Sequence, residues 1–202
     1  MKKQGILLIV SGPSGSGKGT VVEKLCEEPN FALSVSATTR SPRAYEKEGV
    51  HYFFHNRAEF DEMRERKELL ECAEFCGNCY GTPRKYVTEQ LMAGKDVILE
   101  IEVQGALQVK EIYPDGVLIF LMPPNLEELG ERLTKRATED KATINRRIMR
   151  ALEELELVDR YDYIVINDVV EDAAEDLCAI ARAERMKASR NKDIKRIFKG
   201  EI

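Results

Sequence analysis

The segment Gly12-Pro13-Ser14-Gly15-Ser16-Gly17-Lys18-Gly19-Thr20 has the residue types and spacing to hold a polyphosphate. Successive backbone N–H groups of a glycine-rich loop converge on phosphate oxygens, the positive end of a following helix adds to their field, and the Lys18 ammonium can reach β and γ groups. The usual pattern places Ser or Thr directly after the lysine, where its hydroxyl binds Mg²⁺. Here that position is Gly19, and Thr20 is offset by one residue. A metal is therefore expected to be carried by nucleotide phosphates and water, with no direct side-chain ligand.

Further along, Arg40 and Arg43 lie three residues apart in Ser34-Val35-Ser36-Ala37-Thr38-Thr39-Arg40-Ser41-Pro42-Arg43. Two guanidinium forks can grip one phosphate through parallel charge-assisted hydrogen bonds. Standing alone, such a segment would equally suit a solvated basic loop. Glu71 offers a carboxylate that could accept from two donors at once, although on its own a surface carboxylate of a helix or strand is as good a reading. Glu100 and Glu102 follow an apolar run, at the end of a strand where α/β sheets bind ligands, and strand alternation would put both on one side. Between Arg132 and Arg150 there are seven Lys/Arg against two Asp/Glu, reversing the overall sign of a chain of net charge −5. Phosphate charge could be met there, although a basic helix surface has the same composition.

The elements that must position these groups follow from periodicity. Apolar runs at 6–10, 97–101, 117–122 and 163–166 are short, rich in Ile, Val and Leu, and separated by charged segments of helical spacing. They read as buried parallel strands. Helices are expected from about Gly17 to before Pro29 and near 104–112, 125–136, 142–158 and 170–190, with Pro114, Pro123 and Pro124 breaking the pattern between them. Residues 35–89 interrupt the alternation with short aromatic and β-branched pieces such as Val50–Phe54 and Leu69–Glu71, read as an inserted α+β lobe. A second, charged interruption at about 136–146 reads as a small lid.

Together with Glu71-Cys72-Ala73-Glu74-Phe75-Cys76-Gly77-Asn78-Cys79-Tyr80-Gly81-Thr82-Pro83 and Val97–Ala106, these pieces make the chain resemble the guanylate kinase family from about Ile6 to the helix after Asn167. The resemblance implies an α/β P-loop nucleoside monophosphate kinase fold and transfer of phosphate from ATP to GMP or dGMP, with Mg²⁺. It implies a core of residues 1–34, 90–135 and 147–202, a GMP-binding lobe at 35–89 and a lid at 136–146. Gly12 to Thr20 would cradle ATP, with Asn167 near the adenine ring or serving as a turn cap. Ser36, Arg40, Arg43, Tyr52 and Tyr80 would surround the GMP phosphate, Glu71 and Thr82 would read guanine, and Arg132, Arg136 and Arg147 would close over the transferring group together with Arg40 and Lys18. Two further departures accompany Gly19: Glu102 stands where the family more often has aspartate, and Ala137 where it often has glycine. For Glu102, contact with guanine, support of Arg40 and orientation of metal-bound water are all open; Glu100 belongs with the same acceptor site.

Composition narrows the alternatives. At 202 residues and 43% hydrophobic content, the chain can bury the core of one globular unit. Net acidity disfavours polymeric nucleic acid, and no stretch reaches the roughly 20 apolar residues of a membrane span. A cytoplasmic protein with ATP and GMP as its partners is expected, and no protein partner is implied. Five cysteines, Cys26, Cys72, Cys76, Cys79 and Cys178, read as reduced thiols. Cys72, Cys76 and Cys79 could supply three zinc ligands, with His51 or His55 as a fourth, but a second Cys-x2-Cys half is missing. The rival functions are a P-loop kinase for another phosphorylated small molecule and a catalytically silent binding module. Erosion of the phosphate loop would mark the module, and Gly12, Gly17 and Lys18 are all present.

Overall fold

In the computed structural model, residues 4–43, 45–75, 77–135 and 141–201 are described. The apolar run 6–10 becomes β1 (Leu7–Ser11), followed by the glycine loop and α1 (Lys18–Leu25). After β2 (Phe31–Leu33), the chain leaves the core through β3 (Ser36–Thr38), β4 (Tyr52–Phe54), α2 (Arg57–Glu65), β5 (Leu69–Phe75) and β6 (Asn78–Pro83). It returns through α3 (Arg84–Met92), which spans the 89/90 boundary drawn from the sequence. The core then continues with β7 (Asp96–Glu100), α4 (Val103–Ile112), β8 (Val117–Met122), α5 (Leu126–Lys135), α6 (Lys141–Leu155), β9 (Tyr163–Ile166) and α7 (Val170–Met186).

β2, β7, β1, β8 and β9 form, in that order, a wholly parallel sheet. β1 lies at its centre and its five residues are buried, because both sheet faces are covered. One face packs with α1 and α7 through Val21, Val22, Leu25, Leu177 and Ala181. The other packs with α3 and α4 through Val87, Leu91, Val103, Ala106 and Val109. Parallel strands covered on both sides carry continuous apolar runs, which explains why β1, β7 and β8 were legible; β9, expected to be buried, is instead an edge strand that exposes Ile164 and Ile166, and the three-residue edge strand β2 gave no run to read.

The lobe is a second sheet, in the order β4-β3-β6-β5. β3 and β4 run parallel, while β6 pairs antiparallel with both β3 and β5. Its apolar core is small, built on Ala37, Phe60, Leu69 and Cys79. Phe60 comes from α2, whose start is fixed by a capping box: Asn56 accepts from the Glu59 amide and Glu59 accepts from the Asn56 amide.

Among the described residues, Cys26, Cys72, Cys79 and Cys178 are free, and no group of three or more His, Cys, Asp or Glu is placed to hold a metal. Cys76 lies outside them. So do Arg136, Ala137 and the rest of 136–140; the remainder of the segment read as a lid begins α6. α7 stops at Met186, four residues before the expected end of that helix. The basic tail is only partly solvated, since Lys187 and Arg190 pair with buried Glu184 and Arg185 pairs with buried Asp96.

Candidate active site

The glycine loop is held by backbone geometry that side chains would destroy. Gly12 has φ 143° and a Cβ there would lie 2.0 Å from the Leu121 carbonyl oxygen; Gly17 has φ 86° and a Cβ there would lie 2.3 Å from Asn167 Nδ2. Only glycine tolerates both conditions. Gly17 caps α1, so the loop delivers its amides to the positive end of that helix. Lys18 folds back over the loop, donating to the carbonyls of Gly12 at 2.6 Å and Pro13 at 3.1 Å. Asn167, buried at the end of β9, donates to the Ser16 carbonyl at 2.8 Å, while its own amide N–H bonds Met122 O. Its Oδ1 and the Ser16 hydroxyl are buried without a protein partner. Arg132 lies against the same loop, with one guanidinium nitrogen 3.7 Å from where a Gly17 Cβ would stand, and Glu128 holds its Nε at 2.7 Å.

On the lobe, the pairing of Ser36 with Tyr52 and of Thr38 with Tyr80 brings residues distant in sequence onto one sheet. The rings of Tyr52 and Tyr80 meet edge to face at 6.2 Å, and the Arg40 guanidinium lies 5.4 Å from the Tyr52 ring centre. Glu46, absent from the sequence-based site, organises both arginines. Its side chain is 4% exposed; it accepts from Arg40 at 2.8 Å and from the Arg43 amide at 2.7 Å. The Arg40 guanidinium, helped by the Arg43 amide, holds the Glu46 carboxyl below its usual value, and Glu46 in turn raises Arg40. The Arg43 side chain is exposed and reaches the Tyr45 hydroxyl at 3.0 Å.

Glu71 stands on β5 across from Thr82 of β6, whose buried hydroxyl donates to it at 2.8 Å. Burial raises the Glu71 carboxyl above the usual range, against the hydroxyl and amide of Thr82, and the nearby Glu102 charge adds to the rise. The Glu71 carboxylate also abuts the first turn of α4, 3.4 Å from where a Cβ on Gly105 would stand.

Glu100 and Glu102 do not share a strand face. β7 stops at Glu100, and Glu102 is the N-cap residue of α4, where strand alternation no longer applies. Glu100 faces the start of α1, 3.7 Å from where a Gly19 Cβ would be. Glu102 instead meets Arg150 of α6 at 2.8 Å. Arg147 lies on α6 as well, while Arg136 is outside the described residues.

A parallel sheet with a glycine loop after its central strand, joined to a separate small sheet carrying arginines, tyrosines and a buried carboxylate, defines a P-loop nucleoside monophosphate kinase. The guanylate kinase family profile matches residues 4–184. A guanylate kinase of Halalkalibacterium halodurans is 53% identical over 190 residues, covering 94% of this chain and 93% of that protein. One from Desulfitobacterium hafniense is 50% identical over 190 residues, covering 94% and 95%. The crystal structure of guanylate kinase from Anaplasma phagocytophilum, 37% identical, superposes with a TM-score of 0.75 over 94% of this chain and 91% of that one. The chain belongs to the guanylate kinase family.

Proposed function

We propose that this ATP:GMP phosphotransferase works between two half-sites, with Gly12 to Thr20 holding ATP and the lobe holding GMP. The observation that carries the acceptor assignment is the partly buried Glu71 carboxylate, oriented by Thr82 at the first turn of α4. Ionised, it accepts from guanine N1–H and N2 together, which adenine cannot offer. The Thr82 hydroxyl fixes one carboxylate oxygen and can turn toward guanine O6. Ser36, Arg40, Arg43, Tyr52 and Tyr80 hold the acceptor phosphate. The same groups would receive dGMP as an alternative acceptor.

In this reading, Asn167 steadies the loop and offers its unpartnered Oδ1 to the adenine amine. An acceptor phosphate oxygen attacks the γ-phosphorus as the bond to the ADP oxygen breaks, giving GDP and ADP. That oxygen is already anionic, so no base is required, and catalysis rests on positioning and charge stabilisation. Lys18, Arg40, Arg132, Arg136 and Arg147 supply the charge. Mg²⁺ would be carried by the ATP phosphates and water: Gly19 offers no ligand, and Glu100, whose carboxylate lies 3.7 Å from where a Gly19 Cβ would stand, would accept from water on the ion. When bound, the ion supplies further neutralisation of phosphate charge. Closure of the lobe (35–89) and lid (136–146) over the core (1–34, 90–135, 147–202) excludes water. We infer a cytoplasmic enzyme from the acidic chain, the expected reduced thiols and the nucleotide substrates. No helix among the described residues is long and apolar enough to cross a membrane.

Separate binding titrations of Glu71→Gln test the acceptor assignment. GMP affinity should fall by about 10²-fold or more, toward the 10⁴ seen when a polar site loses its match, with ATP affinity unchanged. Equal losses for both nucleotides would contradict it.

A further inference from the structure

Arg150 belongs to none of the groups discussed so far, yet it joins them. It sits on α6, in the hairpin of helices that follows the P-loop side of the core, and its guanidinium reaches across 48 residues of sequence to Glu102 at 2.8 Å. Through Nε it also bonds Glu154, one turn further along α6, at 3.0 Å. The two carboxylates meet on this one guanidinium. Glu102 caps α4, whose next turn abuts Glu71, and its charge is felt there. Glu154 is 15% exposed, and burial raises its carboxyl above the usual range; the bond to Arg150 and, to a smaller extent, the Lys18 charge act against that rise. The largest influence on the Arg150 guanidinium is the Glu102 charge.

We propose that Arg150 is a positioning residue that ties the helix carrying Arg147 to the acceptor-reading acids, fixing Glu102 beside Glu71 while Glu154 anchors it on the Lys18 side. Glu102 has one methylene more than aspartate and is 66% exposed; unpaired, it samples several rotamers, and its charge opposes ionisation of Glu71 without the offset of the guanidinium. The guanidinium removes that freedom with a charge-assisted bond. Because α6 also bears Arg147, the same contact makes acceptor binding sensitive to the position of the α5–α6 hairpin. The inference rests on Glu71 reading guanine.

The test is a double-mutant cycle with steady-state kinetics, GMP and ATP being varied separately. Arg150→Gln should raise KM for GMP by about two- to fivefold, the range an exposed ion pair supports, with KM for ATP and the unfolding midpoint unchanged. Arg150→Lys should restore part of the loss, and in a Glu102→Gln background Arg150→Gln should add nothing. An unchanged KM for GMP, equal rises in both KM values, or an undiminished effect without Glu102 would each overturn the proposal. Glu71→Gln measured alongside separates the two readings. If it spares GMP the base assignment itself fails; if it abolishes GMP binding while Arg150→Gln has no effect, only the role of Arg150 fails.

Discussion

The phosphate loop and the acceptor lobe handle phosphate charge by opposite means. The loop uses backbone: Gly12 and Gly17 adopt positive φ where a side chain would collide with Leu121 or Asn167, and the amides open onto the N-terminus of α1 at the end of a fully buried strand. The lobe uses side chains, held mainly by one another. Arg40 rests on Glu46 and Tyr52, and Glu71 on Thr82, above a core as small as Ala37, Phe60, Leu69 and Cys79. Backbone recognition reads only phosphate and is rigid; side-chain recognition can read a base and an orientation, and can be lost one contact at a time. A donor common to many kinases suits the first, and an acceptor that must be chosen suits the second.

Three measurements sharpen this contrast, in descending order of expected effect. Lys18→Ala removes the ammonium that folds back over the loop. Turnover should fall at least about 10²-fold, as for loss of a preorganised charge stabiliser, with circular dichroism and the unfolding midpoint preserved. Near-normal turnover would show that backbone alone suffices. Glu46→Gln should act only on the acceptor side, raising KM for GMP about tenfold, below the roughly 10²-fold that a misplaced positioning group can cost, and leaving KM for ATP untouched. Parallel changes in both constants would mean that the two halves are not separable.

The third is a pH profile. Burial holds Glu71 above the ordinary value of 4.5, and the proposed reading of guanine requires its ionised form. As pH falls, GMP affinity should therefore be lost earlier than for an ordinary carboxylate, by a few-fold per half unit at most, while Glu71→Gln lacks this limb. The stability sign is opposite: a carboxyl raised in the folded state binds its proton more tightly there, so stability falls as pH rises from the unfolded value through the raised one. An identical acid limb in wild type and Glu71→Gln would remove Glu71 from base recognition.

The same contrast decides what the sequence could disclose. The loop is contiguous, so Gly12 to Lys18 and the apolar run before them were legible directly, as were the buried strands near 97–101 and 117–122; the strand near 163–166 was legible as a strand, but it lies at the sheet edge with Ile164 and Ile166 exposed. β2, β3 and β4 escaped as defined strands because each has three residues and no alternation to detect. α2 carried a signal that was not used, the Asn56-x-x-Glu59 capping box. α3 follows Pro83 and buries only Val87 and Leu91, too few for a clear stripe. Within the site, resemblance supplied Arg40, Tyr52, Glu71 and Thr82. Glu46 was invisible, because its role exists only once the loop after Arg43 turns back to seat a carboxylate between two arginines. Arg150 was hidden by sequence distance from Glu102. The divergence of Glu100 and Glu102 could not be read because the strand ends between them, at Glu100.

The most direct test of the central claim is Mg²⁺-dependent ADP formation from ATP by the purified protein, with GMP, AMP, UMP and CMP supplied separately as acceptors. A lobe whose partly buried carboxylate selects guanine predicts turnover with GMP and background with the other three. Comparable turnover with AMP, or ADP formation independent of any acceptor, would contradict it.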